Sequence, residues 1–244
     1  MNILVNGAAG RMGTVLRQML THSTDTLAGA VGSHASDDIL ASLDSFRGSA
    51  DCIIDFSSHT ATKELTEYAV AHRLPLVIAT TGQTPEEMDL IRQAAGSIPV
   101  FYSGNFSLGI ALLTRMVSMA AKLFPDGDIE IIEMHHNQKA DVPSGTALML
   151  AKAAQESRPD SFLTVGRREN GKRDKREIGI HSIRMGNTVG VHEVIVNTGS
   201  QLLTLRHEAQ DRSLFAEGAL AAAHFLEGRE PGLYRIDSLL EAAL

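Results

Sequence analysis

The sequence predicts an α/β protein with two parts: a Rossmann-like nucleotide domain on a parallel sheet, and an α+β substrate domain with a mixed, mainly antiparallel sheet. Three observations lead to this prediction. Short apolar runs and helical runs alternate through the first 104 residues, as in parallel sheets. A glycine-rich turn follows the first apolar run. The alternation then stops, and three strand-like runs follow one another near the end of the chain.

In the first part, residues 3–6, 27–31, 52–56, 76–79 and 100–102 have the apolar, strand-forming composition of parallel strands. Helical runs at 11–20, 61–72 and 86–95 lie between them. Pro85 and Gly96 mark the start and end of the third helix. The polar segment 36–49 is expected to be a short helix or a loop.

The second part begins with a long helix at 108–124, a strand at 128–134 and a helix at 144–157. Strands are predicted at 177–185, 189–197 and 201–207. Their connections at Gly186-Asn187 and Thr198-Gly199 are tight, so we expect antiparallel pairing in a sheet of about four strands. The alanine-rich helix 211–226 is expected to return to the first domain, and residues 232–244 to form a short tail.

This pattern sets the expected domain limits. The dinucleotide-binding domain is discontinuous, 1–106 and 216–244, and residues 107–215 form a substrate-binding and oligomerisation domain.

Composition excludes several classes of partner. The formal charge is −7, which argues against nucleic acid, and no apolar run approaches the 18 residues of a membrane span. The basic cluster 167–176 is interrupted by acids and a glycine, and is expected to be a solvated, mobile loop. A single cysteine, Cys52, fits a reducing compartment, so we expect a cytoplasmic protein.

The first turn is a candidate dinucleotide site. It reads Gly7-Ala8-Ala9-Gly10-Arg11-Met12-Gly13 between a predicted strand and a predicted helix. Glycines permit a tight turn and let backbone amides approach a pyrophosphate at the helix start. The spacing is GxxGxxG rather than the commoner GxGxxG, and a purely structural turn is the alternative.

The second strand lacks the acid that usually binds the adenosine ribose. It ends in Gly32-Ser33-His34, and Asp37 and Asp38 come too late. Without a carboxylate to repel it, a 2′-phosphate is easier to accept, and Ser33, His34 and Arg11 are the nearby groups that would bind it. We therefore predict that NADPH is used at least as well as NADH.

Three further strand ends carry small or hydroxyl residues, at 55–58, 79–82 and 103–106. Ligands of open parallel sheets bind beyond the carboxyl ends of the strands, so we expect these turns to line the cofactor groove. Ordinary turn chemistry is the competing interpretation, since Gly, Ser, Thr and Asn favour turns anyway.

The candidate catalytic stretch is 130–146. It begins in the strand that places Ile129, Ile131 and Glu133 on one face, and then releases two histidines and a lysine, His135, His136 and Lys139, into a loop. Ser144 is the expected N-cap of the next helix, whose first amides can bind an anion. Two imidazoles, an ammonium and an anion site suit a small carboxylated substrate that undergoes proton transfer. The histidine pair lacks a cysteine or a suitably spaced third ligand, so no metal is expected.

With these motifs in hand, the chain resembles the 4-hydroxy-tetrahydrodipicolinate reductase (dihydrodipicolinate reductase) family of bacterial lysine and diaminopimelate biosynthesis. Gly-Arg-Met-Gly at 10–13, Ile-Asp-Phe-Ser at 54–57, Thr-Thr-Gly at 80–82 and Asn-Phe-Ser-Leu-Gly at 105–109 follow the family in order. So do the stretch 132–147, Glu-Ile-Gly at 177–179 and Phe-Ala-Glu-Gly-Ala at 215–219. The catalytic stretch is highly specific for this family, whereas the glycine turn is not.

The resemblance implies reduction of a cyclic, doubly carboxylated imine to tetrahydrodipicolinate with NADH or NADPH, by an oxidoreductase that is a homotetramer. His135 matches the family's proton donor or acceptor, and Lys139 its proton donor. The implied substrate-binding residues are His136, Ser144, Gly145 and Thr146. The expected cofactor-binding residues are Gly7, Ala8, Ala9, Gly10, Arg11, Met12, Ser33, Ala79, Thr80, Thr81, Ser103, Gly104, Asn105 and Phe106. The family's acid after the second strand falls on Gly32, which puts an NADH preference in doubt.

Two alternatives stay open on the residues alone. A dinucleotide-sensing regulator would not require His135 and Lys139, and it usually brings a basic DNA-binding helix, which this sequence lacks. The second alternative is another two-domain dehydrogenase that acts on an amino-acid-derived acid. The short-chain dehydrogenases need Tyr-x-x-x-Lys, and none of the three tyrosines has a lysine four residues on, so that class is excluded.

Overall fold

A computed structural model describes residues 1–243 of the chain. It divides into two compact units, Met1–Leu108 together with Arg212–Leu244, and Gly109–Asp211. These limits differ by a few residues from those expected from the sequence pattern.

The elements follow one another in this order: β1 Asn2–Asn6, α1 Arg11–Leu20, β2 Thr26–Val31, β3 Cys52–Asp55, α2 Thr62–His72, β4 Leu76–Ile78, α3 Pro85–Ala95, β5 Pro99–Tyr102, α4 Leu108–Leu123, β6 Asp128–His135, α5 Gly145–Glu156, β7 Phe162–Val165, β8 Glu177–Arg184, β9 Gly190–Asn197, β10 Leu202–Ala209, α6 Ser213–Leu226, β11 Gly232–Tyr234 and α7 Ile236–Ala243. Short 3-10 helices stand at Leu43–Ser45 and His59–Ala61. The predicted strands and helices are confirmed within one or two residues at most ends. β7, β11 and α7 are elements that the sequence pattern did not predict.

The first unit contains a parallel sheet of six strands in the order β2-β1-β3-β4-β5-β11. Alternate residues of β1 point to opposite faces: Ile3 and Val5 pack with α1 and α6, whereas Leu4 packs with α2 and α3. Both faces are therefore covered, which is why the strands read as continuous apolar runs. The strand order reverses between β1 and β3, and open α/β sheets bind ligands at such a switch point.

The second unit contains a mixed sheet in the order β10-β9-β6-β8-β7. One face packs against α4 and α5 through residues such as Ile129, Ile131 and Leu150, all fully buried. The predicted alternation along β6 is confirmed, since Ile129, Ile131 and Glu133 are buried and the residues between them are half-buried. The sheet has five strands rather than about four.

The expected pairing of the three last strands is partly wrong. β9 and β10 form an antiparallel pair as predicted, but β8 and β9 do not pair. β6 lies between them, parallel to β8 and antiparallel to β9, so half of the pairings in this sheet are parallel. β6 therefore has a hydrogen-bonded neighbour on both edges. The connection 185–189 therefore crosses the end of β6 instead of closing a hairpin.

The basic segment connects β7 to β8 and is anchored to the sheet through Arg173. β7 and β8 are parallel neighbours, so residues 166–176 must cross from one end of the sheet to the other. Arg173 anchors this crossover with ion pairs to Asp128 and Glu130, at 3.0 and 2.6 Å, and a hydrogen bond to the carbonyl of Glu177. Arg173 is thus docked on the sheet, whereas Arg167, Arg168, Lys172, Lys175 and Arg176 are exposed, as expected of a solvated segment. Within residues 1–243, no helix has the length and apolar character needed to cross a membrane.

Candidate active site

The glycine turn joins the carboxyl end of β1 to the start of α1. The amide of Ala8 donates to the carbonyl of Val31, at 2.8 Å, and the amide of Gly10 donates to the carbonyl of Gly7, at 3.0 Å. Gly10 is the N-cap of α1, and it supplies no side-chain acceptor for the first amides of that helix. No side chain among the described residues caps this helix start. Its first amides therefore suit an anionic group such as a pyrophosphate.

Two glycines of the turn are required by close contacts. Gly7 has a φ of +77°, and a Cβ there would lie 2.5 Å from the carbonyl oxygen of Phe56. A Cβ on Gly13 would lie 2.2 Å from the carbonyl oxygen of Gly7. The glycines thus let β1, β3 and α1 meet at one point, as a dinucleotide site requires.

A cavity of about 390 Å³ opens beside this turn. Four of the predicted cofactor residues line it: Gly7, Ala9, Gly10 and Ser33. Phe56, Ser57 and Ser58 after β3 also line it, and Glu64 brings the one carboxylate among its described lining residues. The residues present therefore fit a bound dinucleotide, because a glycine cradle, a helix start and an adjoining cavity converge here.

At Gly32, where the family has an acid, segment 36–40 packs against the end of β2. After β2, the amide of Gly32 donates to the carbonyl of Leu40 at 2.9 Å, and a Cβ on Gly32 would lie 3.1 Å from Ile39. Segment 36–40 therefore packs where a longer side chain would start. Ser33, His34 and Arg11 are exposed, and the hydroxyl of Ser33 is 2.9 Å from Nδ1 of His34.

The ends of β1, β3 and β4 are joined by Asp55, which is 1% exposed. Its carboxylate accepts hydrogen bonds from Asn6 at 2.8 Å, Ser57 at 2.5 Å and Thr80 at 2.6 Å. Burial raises the pKa of Asp55, although these hydrogen bonds oppose the shift. The hydroxyl of Thr80 is thus used within the protein, between half-buried Ala79 and exposed Thr81.

The third predicted turn precedes α4. The hydroxyl of Ser103 donates to the carbonyl of Asn105 at 2.6 Å, and the Asn105 side chain accepts from the amide of Ser107 at 2.8 Å. Phe106 is buried in the core against Phe101, whereas Gly104 is exposed. Of the glycine-turn residues, Ala8 is fully buried, Met12 is half-buried and Arg11 is exposed.

In the second unit, the candidate catalytic histidine ends β6. His135 is the last residue of the strand, not the first of the loop as expected, and it is 8% exposed. Its Nδ1 is 2.5 Å from Oε2 of Glu133, which is completely buried. Burial lowers the pKa of His135 below its ordinary value, and the Glu133 carboxylate opposes that shift.

Glu133 carries a second, stronger partner. Arg184 at the end of β8 donates to both of its oxygens, from Nη2 at 2.7 Å and from Nη1 at 2.9 Å. Burial alone would raise the pKa of Glu133, but the hydrogen bonds from Arg184 and His135 outweigh it and lower the pKa to about 2. The carboxylate is therefore ionised across the physiological range.

The expected N-cap is confirmed. The hydroxyl of Ser144 accepts from the amide of Ala147 at 3.2 Å, and it is 3.2 Å from Nε2 of His192. The Ser144 amide donates to Oε1 of Glu133 at 3.2 Å. Burial, together with the nearby charge of His135, lowers the pKa of His192 to about 4. Gly145 and Thr146, the predicted substrate-binding positions, open the helix that Ser144 caps.

The loop 136–143 carries the other candidates. His136 is half-buried, and its carbonyl accepts from the amide of Lys139 at 3.2 Å. Nζ of Lys139 is 2.8 Å from Oδ1 of Asp141, and its side chain is 22% exposed. The structure thus brings His135, Ser144 and the start of α5 together around Glu133, and leaves Lys139 half-buried in the adjoining loop, paired with Asp141. Among the described residues, no group of three or more His, Cys, Asp or Glu side chains is arranged to hold a metal ion.

Sequence reasoning did not identify the contacts of four polar residues in these two regions: Asp55, Glu133, Arg184 and His192. A usable signal existed for Glu133 alone, because the β6 alternation places it on the buried face with Ile129 and Ile131. A carboxylate on a buried face requires a partner.

The comparisons with known proteins cover almost the whole chain. Residues 1–106 match the family model for the dihydrodipicolinate reductase N-terminus, and residues 109–240 match the model for its C-terminus. The chain belongs to the dihydrodipicolinate reductase family. It is therefore an oxidoreductase of lysine and diaminopimelate biosynthesis that uses a pyridine nucleotide.

Relatives in the family agree over their full lengths. The chain is 40% identical over 245 residues to the 4-hydroxy-tetrahydrodipicolinate reductase of Caldanaerobacter subterraneus subsp. tengcongensis, with 98% of each chain covered. It is 40% identical over 244 residues to that of Akkermansia muciniphila, with 98% of this chain and 97% of the relative covered. The dipicolinate-bound dihydrodipicolinate reductase of Paenisporosarcina sp. TG-14 has a similar structure, with a TM-score of 0.79, 25% identity, and coverage of 96% of this chain and 97% of that one.

The contact at Gly13 generates a prediction about the nucleotide site. In Gly13→Ala, the new methyl meets backbone atoms of Gly7 and Ala8 at 2.2 and 2.7 Å, so the turn must move. We expect a loss of about 1–3 kcal/mol in the free energy of unfolding and weaker cofactor binding, measured by urea unfolding and by fluorescence titration with NADPH.

The matched control is Thr14→Ala, on the next residue, which is exposed. It should change stability by no more than about 0.5 kcal/mol and leave the titration unchanged. A Gly13→Ala protein that is indistinguishable from wild type in both measurements would contradict the close approach of α1 to the turn.

Proposed function

We propose that this protein reduces 4-hydroxy-tetrahydrodipicolinate to tetrahydrodipicolinate with NADPH or NADH. In this proposal, the unit Met1–Leu108 with Arg212–Leu244 binds the dinucleotide, and the unit Gly109–Asp211 binds the cyclic dicarboxylate. The observation that carries it is the buried Glu133–His135 pair next to the start of α5, because it puts a titratable imidazole beside an anion-binding helix end.

The dinucleotide would be held by the glycine turn, with its pyrophosphate at the start of α1 and the cavity receiving the adenosine end. That cavity is lined by Gly7, Ala9, Gly10 and Ser33. The turns at 79–81 and 103–106 follow the carboxyl ends of β4 and β5 in the same sheet. When bound, the nicotinamide supplies the hydride. The protein supplies position and charge.

His135 is the proposed proton donor. Hydride addition to a conjugated imine leaves negative charge on the substrate, which a proton must meet. Because Nδ1 of His135 is engaged with Glu133, its Nε2 is the atom that would exchange the proton. The positive charge of Lys139 would stabilise the same developing charge and assist as an acid.

The substrate's carboxylates require cationic or amide partners. We assign these to the backbone amides of Gly145 and Thr146 at the start of α5, and to His136. Ser144 supports this site by holding the helix start through its cap. The apolar core behind α5 fixes the helix, since Ala147, Leu150 and Ala151 are completely buried.

The cofactor preference follows from the end of β2. Gly32 packs against Ile39 where an acid would repel a 2′-phosphate, and Ser33, His34 and Arg11 are exposed. We therefore propose that NADPH serves at least as well as NADH.

One assay tests reaction and preference together. Purified protein is mixed with the aldol product of pyruvate and aspartate semialdehyde, and oxidation of each cofactor is followed by its absorbance. We expect substrate-dependent oxidation of both, with kcat/KM for NADPH equal to or above that for NADH. No oxidation above background would contradict the activity, and a strong preference for NADH would contradict the assignment at β2.

Substitution separates the catalytic roles. Lys139→Ala should lower kcat by roughly two or more orders of magnitude if the lysine serves as an acid, and His135→Gln should lower it comparably. Lys152→Ala is the control, because that lysine is exposed on α5 and pairs with Glu156. A mild loss of turnover in Lys139→Ala would reduce its role to binding.

We also propose a cytoplasmic homotetramer assembled through the second unit. The face of its sheet opposite α4 and α5 carries Ile183 and Leu202, both exposed, and the half-buried Ile132 and Ile195. Burial of the single cysteine, Cys52, in β3 agrees with a reducing compartment. Light scattering should give the mass of four chains of 26.2 kDa, and a monomer mass would contradict the assembly.

A further inference from the structure

We infer that Glu133 is a positioning residue that fixes the orientation and tautomer of His135 and, through the Ser144 amide, the start of α5. This inference rests on the proposed role of His135 as proton donor. It assigns a function to a side chain that is completely buried and therefore acts only through its neighbours.

The first arm of the arrangement is the contact with the imidazole. Oε2 of Glu133 is 2.5 Å from Nδ1 of His135. An ionised carboxylate can only accept, so Nδ1 carries the hydrogen and Nε2 is left for exchange with a ligand. A Cβ on Gly190 would lie 3.1 Å from that Nε2, so the glycine at the start of β9 keeps space beside it.

The second arm is the contact with the helix start. Oε1 of Glu133 accepts from the amide of Ser144 at 3.2 Å. The hydroxyl of the same serine caps α5 and contacts Nε2 of His192. The two oxygens of one carboxylate therefore hold the imidazole and the helix that precedes Gly145 and Thr146.

Arg184 keeps the carboxylate from turning. It donates to both oxygens, at 2.7 and 2.9 Å, and its Nη2 also donates to the carbonyl of Asp141 at 2.7 Å. Bidentate guanidinium–carboxylate pairs are directional as well as strong. The guanidinium thus links β8, Glu133 and the loop that carries Lys139.

The charges that face His135 come from four elements. Glu133 on β6 raises its pKa, whereas Arg184 on β8 and Lys139 in the loop lower it. His192 on β9 lies with its ring centre 5.1 Å away. Among these neighbours in residues 1–243, Glu133 alone brings negative charge, so its neutralisation must lower the pKa of the imidazole further.

The test is Glu133→Gln, assayed for kcat and KM across pH with NADPH. We expect kcat to fall roughly 10- to 100-fold, a part of what general acid catalysis contributes, with little change in KM for NADPH. The alkaline limb of the kcat profile, which reports loss of the protonated imidazole, should move to lower pH.

The matched control is Glu130→Gln, on the same strand and the opposite face. Glu130 also binds an arginine and a histidine, Arg173 and His181, at 2.6 and 2.8 Å. Its variant should keep the wild-type pH profile. A folded Glu133→Gln protein with unchanged turnover and an unchanged profile would overturn the inference.

Two further measurements keep the inference separable from the proposed function. If His135→Gln keeps full turnover, the proposed function fails at its proton donor; if His135→Gln is inactive and Glu133→Gln has a wild-type profile, only the positioning role fails. Where Glu133→Gln does not fold, nitrogen-15 NMR of the wild-type imidazoles decides, with His135 assigned by its absence in His135→Gln. We expect the neutral ring to carry its hydrogen on Nδ1, and a hydrogen on Nε2 would overturn the inference.

Discussion

The second unit depends on one constraint: a buried carboxylate must be paired. An unpaired charge with the burial of Glu133 would cost several kcal/mol, so the residues around it are not exchangeable one at a time. The guanidinium of Arg184 meets this requirement and, in doing so, fixes the register in which β8 runs beside β6, with His135 opposite Arg184. The same ion pair thus joins two neighbouring strands and compensates the charge of the buried carboxylate.

The first unit solves a similar problem differently. Asp55 is as deeply buried as Glu133, yet its partners are the neutral donors Asn6, Ser57 and Thr80. Burial raises the pKa of Asp55, whereas the arginine helps to bring that of Glu133 to about 2. Neutral donors do not offset the burial of Asp55, whereas the cationic guanidinium of Arg184, 2.7 Å from Glu133, helps to offset the burial of that carboxylate.

Sequence reasoning reached the α/β architecture, the glycine turn and the N-cap at Ser144, because each is encoded by neighbouring residues. It failed where the partner is distant in the chain. Nothing near Glu133 indicates Arg184, and the short connection 185–189 reads as a hairpin although β6 lies between the two strands. The sequence pattern did not indicate β7 and β11, which have four and three residues. The packing of Ile39 against Gly32, where the family has an acid, likewise cannot be read from neighbouring residues.

The crossing at 185–189 ties local unfolding of the sheet to the position of His135. The amide of Met185 donates to the carbonyl of His135, and the carbonyl of Gly186 accepts from the amide of Asn137. The connection is therefore hydrogen-bonded to the end of β6. Fraying at the junction of β8 and β9 would release the strand end and the histidine in the same cooperative event.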